Sequence, residues 1–323
     1  MKLPTLEGIS HAARALRAHQ PETPLVPAVI LSRALGADVW LKNETGSRIA
    51  SFKLRGALTA LSRAWAQGGG SRAVTSSTGN HGQGVSCAAA LLGGTADIFL
   101  PIEANPVKAA KIRALGSTLH QVGRDLDEAK EHAKRFAAEH DAIFVDDGES
   151  LDLMEGAGTV GLEIAEALPD IDAVLVPMGS GTLASGCAAA LKALQPRVQV
   201  IAVQAKGSPA MVQSFHARRP VEHEVDTVAD GLVCRVPAEL ALNGLWAHVD
   251  DAMLTTDEEL LRAVRTLIEQ ANTLVEPSGA AGLAALWQRR DSFRGRRVVL
   301  VLTGSNITRD ALQRALSLDP LKD

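Results

Sequence analysis

Short runs of β-branched and aliphatic residues alternate with longer, alanine-rich stretches of helical periodicity along almost the whole chain. The runs Asp38–Lys42, Ala73–Ser76, Asp97–Leu100, Leu119–Val122, Ile143–Val145, Ala173–Val176, Val198–Val203 and Val298–Leu302 predict strands. Between them, Phe52–Ala66, His81–Leu92, Asp125–His140, Ala157–Ala167, Leu183–Leu194 and Glu258–Gln270 fit a helical period. This alternation predicts parallel sheets in an α/β fold, with ligands at the carboxyl ends of the strands. Gly68-Gly69-Gly70-Ser71 is a flexible joint before a strand, and the acidic stretch Asp146-Asp147-Gly148-Glu149-Ser150 is a second candidate boundary. The expected division is a small inserted domain at 69–150 and a larger, discontinuous domain at 1–68 plus 151–323.

Composition narrows the function classes. The 323 residues are 46% hydrophobic and 22% charged, a globular composition. Net charge is −4 without a dense basic cluster, which argues against a nucleic-acid face. No apolar run is long enough to span a bilayer, and Met1 to Gln20 lack a secretory apolar region. Cys87, Cys187 and Cys234 are odd in number and set in apolar surroundings, so they predict free thiols in a reducing cytoplasm. With no tyrosine in the chain, no tyrosine serves as acid or base.

Candidate chemistry sits where predicted strands run into predicted helices. Lys53, in Ser51-Phe52-Lys53-Leu54-Arg55-Gly56-Ala57, is flanked by apolar residues just inside a helix start. Burial there would favour the neutral, nucleophilic amine; an ordinary surface lysine with its stem along the protein is the other reading. Ser77-Thr78-Gly79-Asn80-His81-Gly82 follows a strand and opens a helix, a cradle for a carboxylate or other anion. One capping residue would suffice for a purely structural turn. Gly179-Ser180-Gly181-Thr182-Leu183 repeats the layout and suits a phosphate at a helix N-terminus. Gly179, Gly181 and Ala184 also match a dinucleotide fingerprint, yet the next strand ends Val203-Gln204-Ala205-Lys206 without an acid for a ribose. Thr303 closes the strand Val298–Leu302, and Glu276 precedes the helix entry Pro277-Ser278-Gly279-Ala280.

Taken together, Ser51-Phe52-Lys53, Ser77-x-Gly79-Asn80-His81-Gly82, Gly179–Leu183 and Thr303-Gly304-x-Asn306 resemble the pyridoxal-phosphate enzymes of fold type II (tryptophan synthase β-like). The nearest pattern is that of threonine/serine dehydratases and serine racemases, with Ala229-Asp230-Gly231-Leu232 and Val275–Ala280 as further matches. The resemblance implies two parallel-sheet domains with pyridoxal 5'-phosphate in the cleft between them. It makes Lys53 the cofactor lysine and the base for the α-proton, with Phe52 beside the ring. It assigns the phosphate to Gly179, Ser180, Gly181, Thr182 and Leu183, the ring oxygen to Asn80, the ring nitrogen to Thr303, and places Glu276 beside the cofactor. Ser77, Thr78, Gly79, Asn80 and His81 would receive the substrate carboxylate. A homodimer is implied as well. Histidine after Asn80 and Leu54 after Lys53 argue against sulfhydrylases, and an end at Asp323 predicts no regulatory domain.

Several segments depart from the family pattern. The phosphate loop has hydroxyls where four glycines are usual, and Thr303 stands where serine is usual. Val145-Asp146-Asp147-Gly148 replaces His-Pro-Phe-Asp, and Gly156-Ala157-Gly158-Thr159 replaces Gly-Gln-Gly-Thr. Both are expected near the substrate, Ala157 included, so a substrate bulkier than threonine, such as β-phenylserine, is the expectation. Racemisation with Lys53 and Thr78 as paired bases is the nearest rival, and an NAD-dependent dehydrogenase the remote one. Glu222, Glu224, Asp226 and Asp230 offer carboxylates to a cation, equally well explained as a solvated acidic loop.

Overall fold

The structure, a computed structural model, describes residues 2–68 and 70–322. Gly69, in the expected joint, and the terminal Met1 and Asp323 lie outside the described residues. The chain opens with α1 (Leu6–Leu16), β1 (Leu25–Pro27), α2 (Val29–Leu35), β2 (Asp38–Asn43) and α3 (Lys53–Ala66). There follow β3 (Arg72–Ser76), α4 (Asn80–Leu91), β4 (Thr95–Leu100), α5 (Pro106–Ala114), β5 (Thr118–Gln121), α6 (Leu126–Glu139) and β6 (Ile143–Phe144). Next come α7 (Leu151–Ala167), β7 (Ala173–Pro177), α8 (Thr182–Leu194), β8 (Gln199–Ala205), α9 (Ala210–Ala217), α10 (Glu239–His248) and β9 (Asp251–Thr255). The chain closes with α11 (Asp257–Ala271), α12 (Ala281–Gln288), β10 (Arg297–Leu302) and α13 (Arg309–Ser317).

Two sheets result, six-stranded in the order β1-β2-β10-β7-β8-β9 and four-stranded in the order β5-β4-β3-β6. All pairings are parallel except that of β1 with β2. The expected α/β architecture is therefore present, with one antiparallel edge. Strand β1 is three residues long and ends in Pro27, a residue tolerated at an edge because it lacks an N–H for a further ladder. Neither β1 nor β9 stands out as an apolar run.

Two boundaries differ from expectation. Helix α7 begins at Leu151, six residues before the predicted start, with the Ser150 hydroxyl accepting from the Leu153 amide at 3.3 Å. Gly156-Ala157-Gly158 thus lies inside the helix. Glycine there is a packing device: a Cβ on Gly156 would stand 2.6 Å from the Arg55 carbonyl of α3. On α8, a Cβ on Gly186 would stand 2.1 Å from the Met154 carbonyl of α7. Backbone-to-backbone approach this close excludes any side chain. The second difference is α3, placed with the larger domain by a break at Gly68. Its Leu54, Ala57, Leu58 and Leu61 share a core with Ala73, Val85, Ala88 and Ile98 of the four-stranded sheet and α4. The smaller unit's core thus begins upstream of the joint, because the apolar stripe of α3 faces that sheet.

Behind Lys53, a buried charge cluster fastens α3 to β2 and α7. Arg55 donates to Glu44 at 2.8 and 3.0 Å and to Glu163 at 2.5 and 2.9 Å. Lys42 donates to Glu163 at 2.5 Å and to the Thr23 carbonyl at 2.7 Å. Two cations against two carboxylates leave no net buried charge, the condition under which such a cluster is tolerated.

Gly186→Ala should cost about 1–3 kcal/mol through overpacking against α7. Gly46→Ala, at a position with no atom within 4 Å of the added Cβ, should stay within about 0.5 kcal/mol of wild type. Urea unfolding midpoints at unchanged slope measure both.

Candidate active site

The carboxyl ends of β2, β3, β6, β7 and β10 deliver their loops to one interdomain cleft, as strand ends do in open parallel sheets. A cavity of about 270 Å³ there is lined by Phe52, Lys53, Asn80, Gly179, Ser180, Gly181, Thr182, Leu183, Glu276 and Thr303. Those are all the residues expected around a cofactor. Ser77, Thr78, Gly79 and His81 of the expected carboxylate loop line it too. Ala157 does not. It is 1% exposed and packs in the core with Cys187 and Val160, because α7 turns that face inward. The Gly-Ala-Gly departure therefore does not reshape the pocket wall directly.

Lys53 is the first residue of α3, and its position is tied to the far side of the cleft. The Phe52 amide donates to the Thr303 carbonyl at 3.0 Å, and Ser51 bridges Gly304. The lysine nitrogen lies 5.2 Å from the centroid of the Phe52 ring. It also lies 2.5 Å from Asp147 Oδ2, and Asp147 Oδ1 accepts from the Thr182 hydroxyl at 3.0 Å. Burial alone would raise the Asp147 carboxyl, but the Lys53 ammonium and the other donors outweigh it and hold the group well below the usual carboxylate range.

The phosphate loop follows β7. Gly181 N-caps α8 in the left-handed region (φ 92°), and α8 then runs for 13 residues, so its dipole and free amides face the cavity. Ser180 Oγ stands 3.1 Å from Thr182 Oγ1. Because the one hydroxyl proton of Thr182 is directed at Asp147, Ser180 is the donor to Thr182 Oγ1, and an anion here is left to the backbone amides for donors.

Asn80 opens α4 with both ends of its amide engaged. Its Nδ2 donates to Glu276 Oε1 at 2.7 Å, and its Oδ1 accepts from Asn306 Nδ2 at 2.8 Å. One Nδ2 hydrogen remains for the cavity. Burial pushes the Glu276 carboxyl up to about 7, against the lowering effect of the Asn80 bond. His81 points away from the cavity centre, with Nε2 3.1 Å from Thr75 Oγ1 and 3.3 Å from the Val145 carbonyl. Burial, opposed by Asp147 and helped by Lys53, lowers its pKa and keeps the ring neutral. Thr303, 4% exposed at the end of β10, has no hydrogen-bond partner for its hydroxyl among the described residues.

Several lining residues escaped sequence reasoning. The segment of Asp147 was expected near the substrate without a role for that residue, Asn306 and Asp230 stood in matched motifs without an assigned part in the cleft, and Lys108 and Lys111 carry no local pattern. Lys108 pairs with Asp230 across the cleft. Among the described residues no group of three or more His, Cys, Asp and Glu is placed to hold a metal ion. The thiols of Cys187 and Cys234 are buried and pushed up to about 12 by that burial, so they stay protonated. No described helix is long and apolar enough to cross a membrane.

An amine, an anion-holding helix N-terminus, an unpartnered hydroxyl and an amide donor around one cavity are the donor set a phosphorylated pyridine aldehyde requires. A family model for pyridoxal-phosphate-dependent enzymes matches residues 16–304. The chain belongs to that family. Its cofactor is pyridoxal phosphate and its class is that of the lyases. It is 36% identical to an L-threonine ammonia-lyase of Thermotoga maritima over 314 residues, covering 97% of this chain and 78% of the relative. Among solved structures, the processed form of threonine deaminase isoform 2 from Solanum lycopersicum superposes with a TM-score of 0.91 at 28% identity, covering 98% of this chain and 90% of that one. Maize serine racemase superposes with a TM-score of 0.92 at 27% identity, covering 98% of both chains. Membership of this family sets aside the dinucleotide reading of Gly179, Gly181 and Ala184.

Glu276 generates a pH prediction for the cofactor-free protein. Its carboxyl is raised in the folded state from 4.5 to about 7, so folding retains a proton that the unfolded chain releases. Its contribution is full below about pH 4.5 and lost as pH rises through about 7, a difference of about 3 kcal/mol. Glu276→Gln should remove that part of the pH dependence. Relative to wild type, the variant should therefore gain stability between about pH 5 and pH 8, read by urea titration at each pH.

Proposed function

We propose that this enzyme is an ammonia-lyase that dehydrates a β-hydroxy-α-amino acid of the threonine/serine type to a 2-oxo acid and ammonia. The observation that carries the reading is the convergence of Lys53, the Ser77–His81 loop, the Gly179–Leu183 loop and Thr303 on one cavity. Bound pyridoxal phosphate supplies the electron sink for the α-carbon. Lys53 holds the cofactor and, once released, takes the α-proton as general base. The Ser77–His81 loop holds the substrate carboxylate at the start of α4, where amides and dipole favour an anion. Asn80, oriented by Glu276 and Asn306, would offer its remaining amide hydrogen to the ring oxygen. Thr303 would offer the ring nitrogen a hydroxyl rather than a carboxylate, a partner that would not favour a protonated ring and so would suit loss of the β-hydroxyl.

The burial of Ala157 removes one of two supports for a bulky substrate; the other, the replaced wall at Val145–Gly148, keeps β-phenylserine as the finer alternative. Thr78 lines the cavity, which keeps racemisation as the second reading. The family resemblance further supports a cytoplasmic homodimer.

A panel of L-threonine, L-serine and L-threo-β-phenylserine, scored for 2-oxo acid and ammonia on the cofactor-loaded enzyme, tests the proposal. The expected result is equimolar release of both products from at least one substrate. Lys53→Ala should lower turnover by about 10²–10⁴-fold and abolish the visible absorbance of the protein. Recovery of D-isomer in excess of 2-oxo acid would favour the racemase instead.

A further inference from the structure

Asp147 stands three residues beyond β6, at the carboxyl end of the four-stranded sheet. Its neighbour Asp146 pairs with Lys130 at 2.8 Å, away from the lysine of the site. Asp147 instead turns toward the cavity and meets the Lys53 nitrogen at 2.5 Å, with its other oxygen anchored on Thr182 of the phosphate-loop helix. Both side chains are largely shielded, Lys53 17% and Asp147 27% exposed. A lysine that serves as base must accept a proton inside a cavity, where an isolated ammonium is costly to form. A carboxylate already fixed at hydrogen-bond distance offsets that cost without reorganising at the moment of transfer.

We propose that Asp147 is the positioning residue of Lys53: it aims the lysine nitrogen and supplies the counter-charge for the ammonium formed when Lys53 takes the substrate proton. The inference rests on Lys53 being the cofactor lysine and not on which amino acid is consumed. Among the described residues, the other groups that could carry positive charge in the chamber adjoining Asp147 are neutral or paired. His81 on α4 is neutral, Cys234 is a protonated thiol, and Lys130 and Arg235 are paired with Asp146 and Asp127. Glu224 and Asp125 complete the charged lining of the adjoining chamber. Thr182 thereby has two duties, since it belongs to the phosphate loop and also holds the lysine's partner in place.

Two readouts besides turnover test this in wild type, Asp147→Asn and Asp147→Glu, each loaded with pyridoxal phosphate. The first is a titration of the cofactor's long-wavelength absorbance from about pH 6 to pH 9.5. The Asn variant should lose that band at a pH at least about one unit lower than wild type, and the Glu variant should recover much of the difference. The second is exchange of the α-hydrogen of L-alanine, which has no leaving group, in deuterated water. The Asn variant should exchange about tenfold or more slowly at saturating alanine, with the half-saturating concentration changed less than about threefold. An unshifted absorbance titration together with unchanged exchange would overturn the proposal and leave Asp147 a structural partner. If the Asn variant fails to retain cofactor, Thr182→Val carries the same titration. A shift in the same direction supports the assignment, and no shift overturns it. Exchange of alanine without 2-oxo acid from any hydroxy amino acid would instead count against the dehydratase reading alone.

Discussion

Everything in the site depends on how closely the backbone of α7 approaches α3 on one side and α8 on the other. Gly156 lies against the Arg55 carbonyl and Gly186 against the Met154 carbonyl, at separations no side chain would permit. Lys53 begins α3, and the phosphate loop ends at the start of α8. Three helices in backbone contact therefore set the distance between the amine and the anion site. The Arg55–Glu44–Glu163–Lys42 cluster adds a second clamp on the same joint, reaching from α3 and β2 to α7. Both devices lie behind the cavity and touch nothing in it.

In front of that frame, the charges of the cleft are held in pairs that span separate segments. Lys53 meets Asp147, Asn80 meets Glu276 and Asn306, and Lys108 meets Asp230. Each pair joins residues far apart in the chain. The consequence is preorganisation: donors and acceptors are aimed before a ligand arrives, and reorganisation at the reacting atoms is small. Asn80 illustrates it, since neighbours fix the whole amide and leave one hydrogen for the cavity.

Much of this was legible along the chain, because its signals are local. Eight of the strands announce themselves as β-branched runs, and the loops after β3, β7 and β10 declare their chemistry through small polar residues before apolar helices. The misses share a cause. Ala157 was expected to line the pocket because it stands where the family pattern has a glutamine near the substrate, yet the glycines beside it serve helix packing inside α7. Asp147 was expected near the substrate through its segment alone, and its pairing was missed because nothing beside it in sequence shows that it faces a lysine 94 residues away. The short edge β1 lacks the length that periodicity needs.

Local pattern sufficed for the α/β class, the order of elements and the loops that carry cofactor chemistry, because hydrophobic periodicity and turn composition act over a few residues. The family followed from several such motifs in the right order. The partner of Lys53, the direction of α7 and the membership of α3 in the smaller core came from packing alone. Those features are set by which backbone surfaces approach most closely and which buried charges find a counter-charge, and both depend on contacts between residues far apart in the chain.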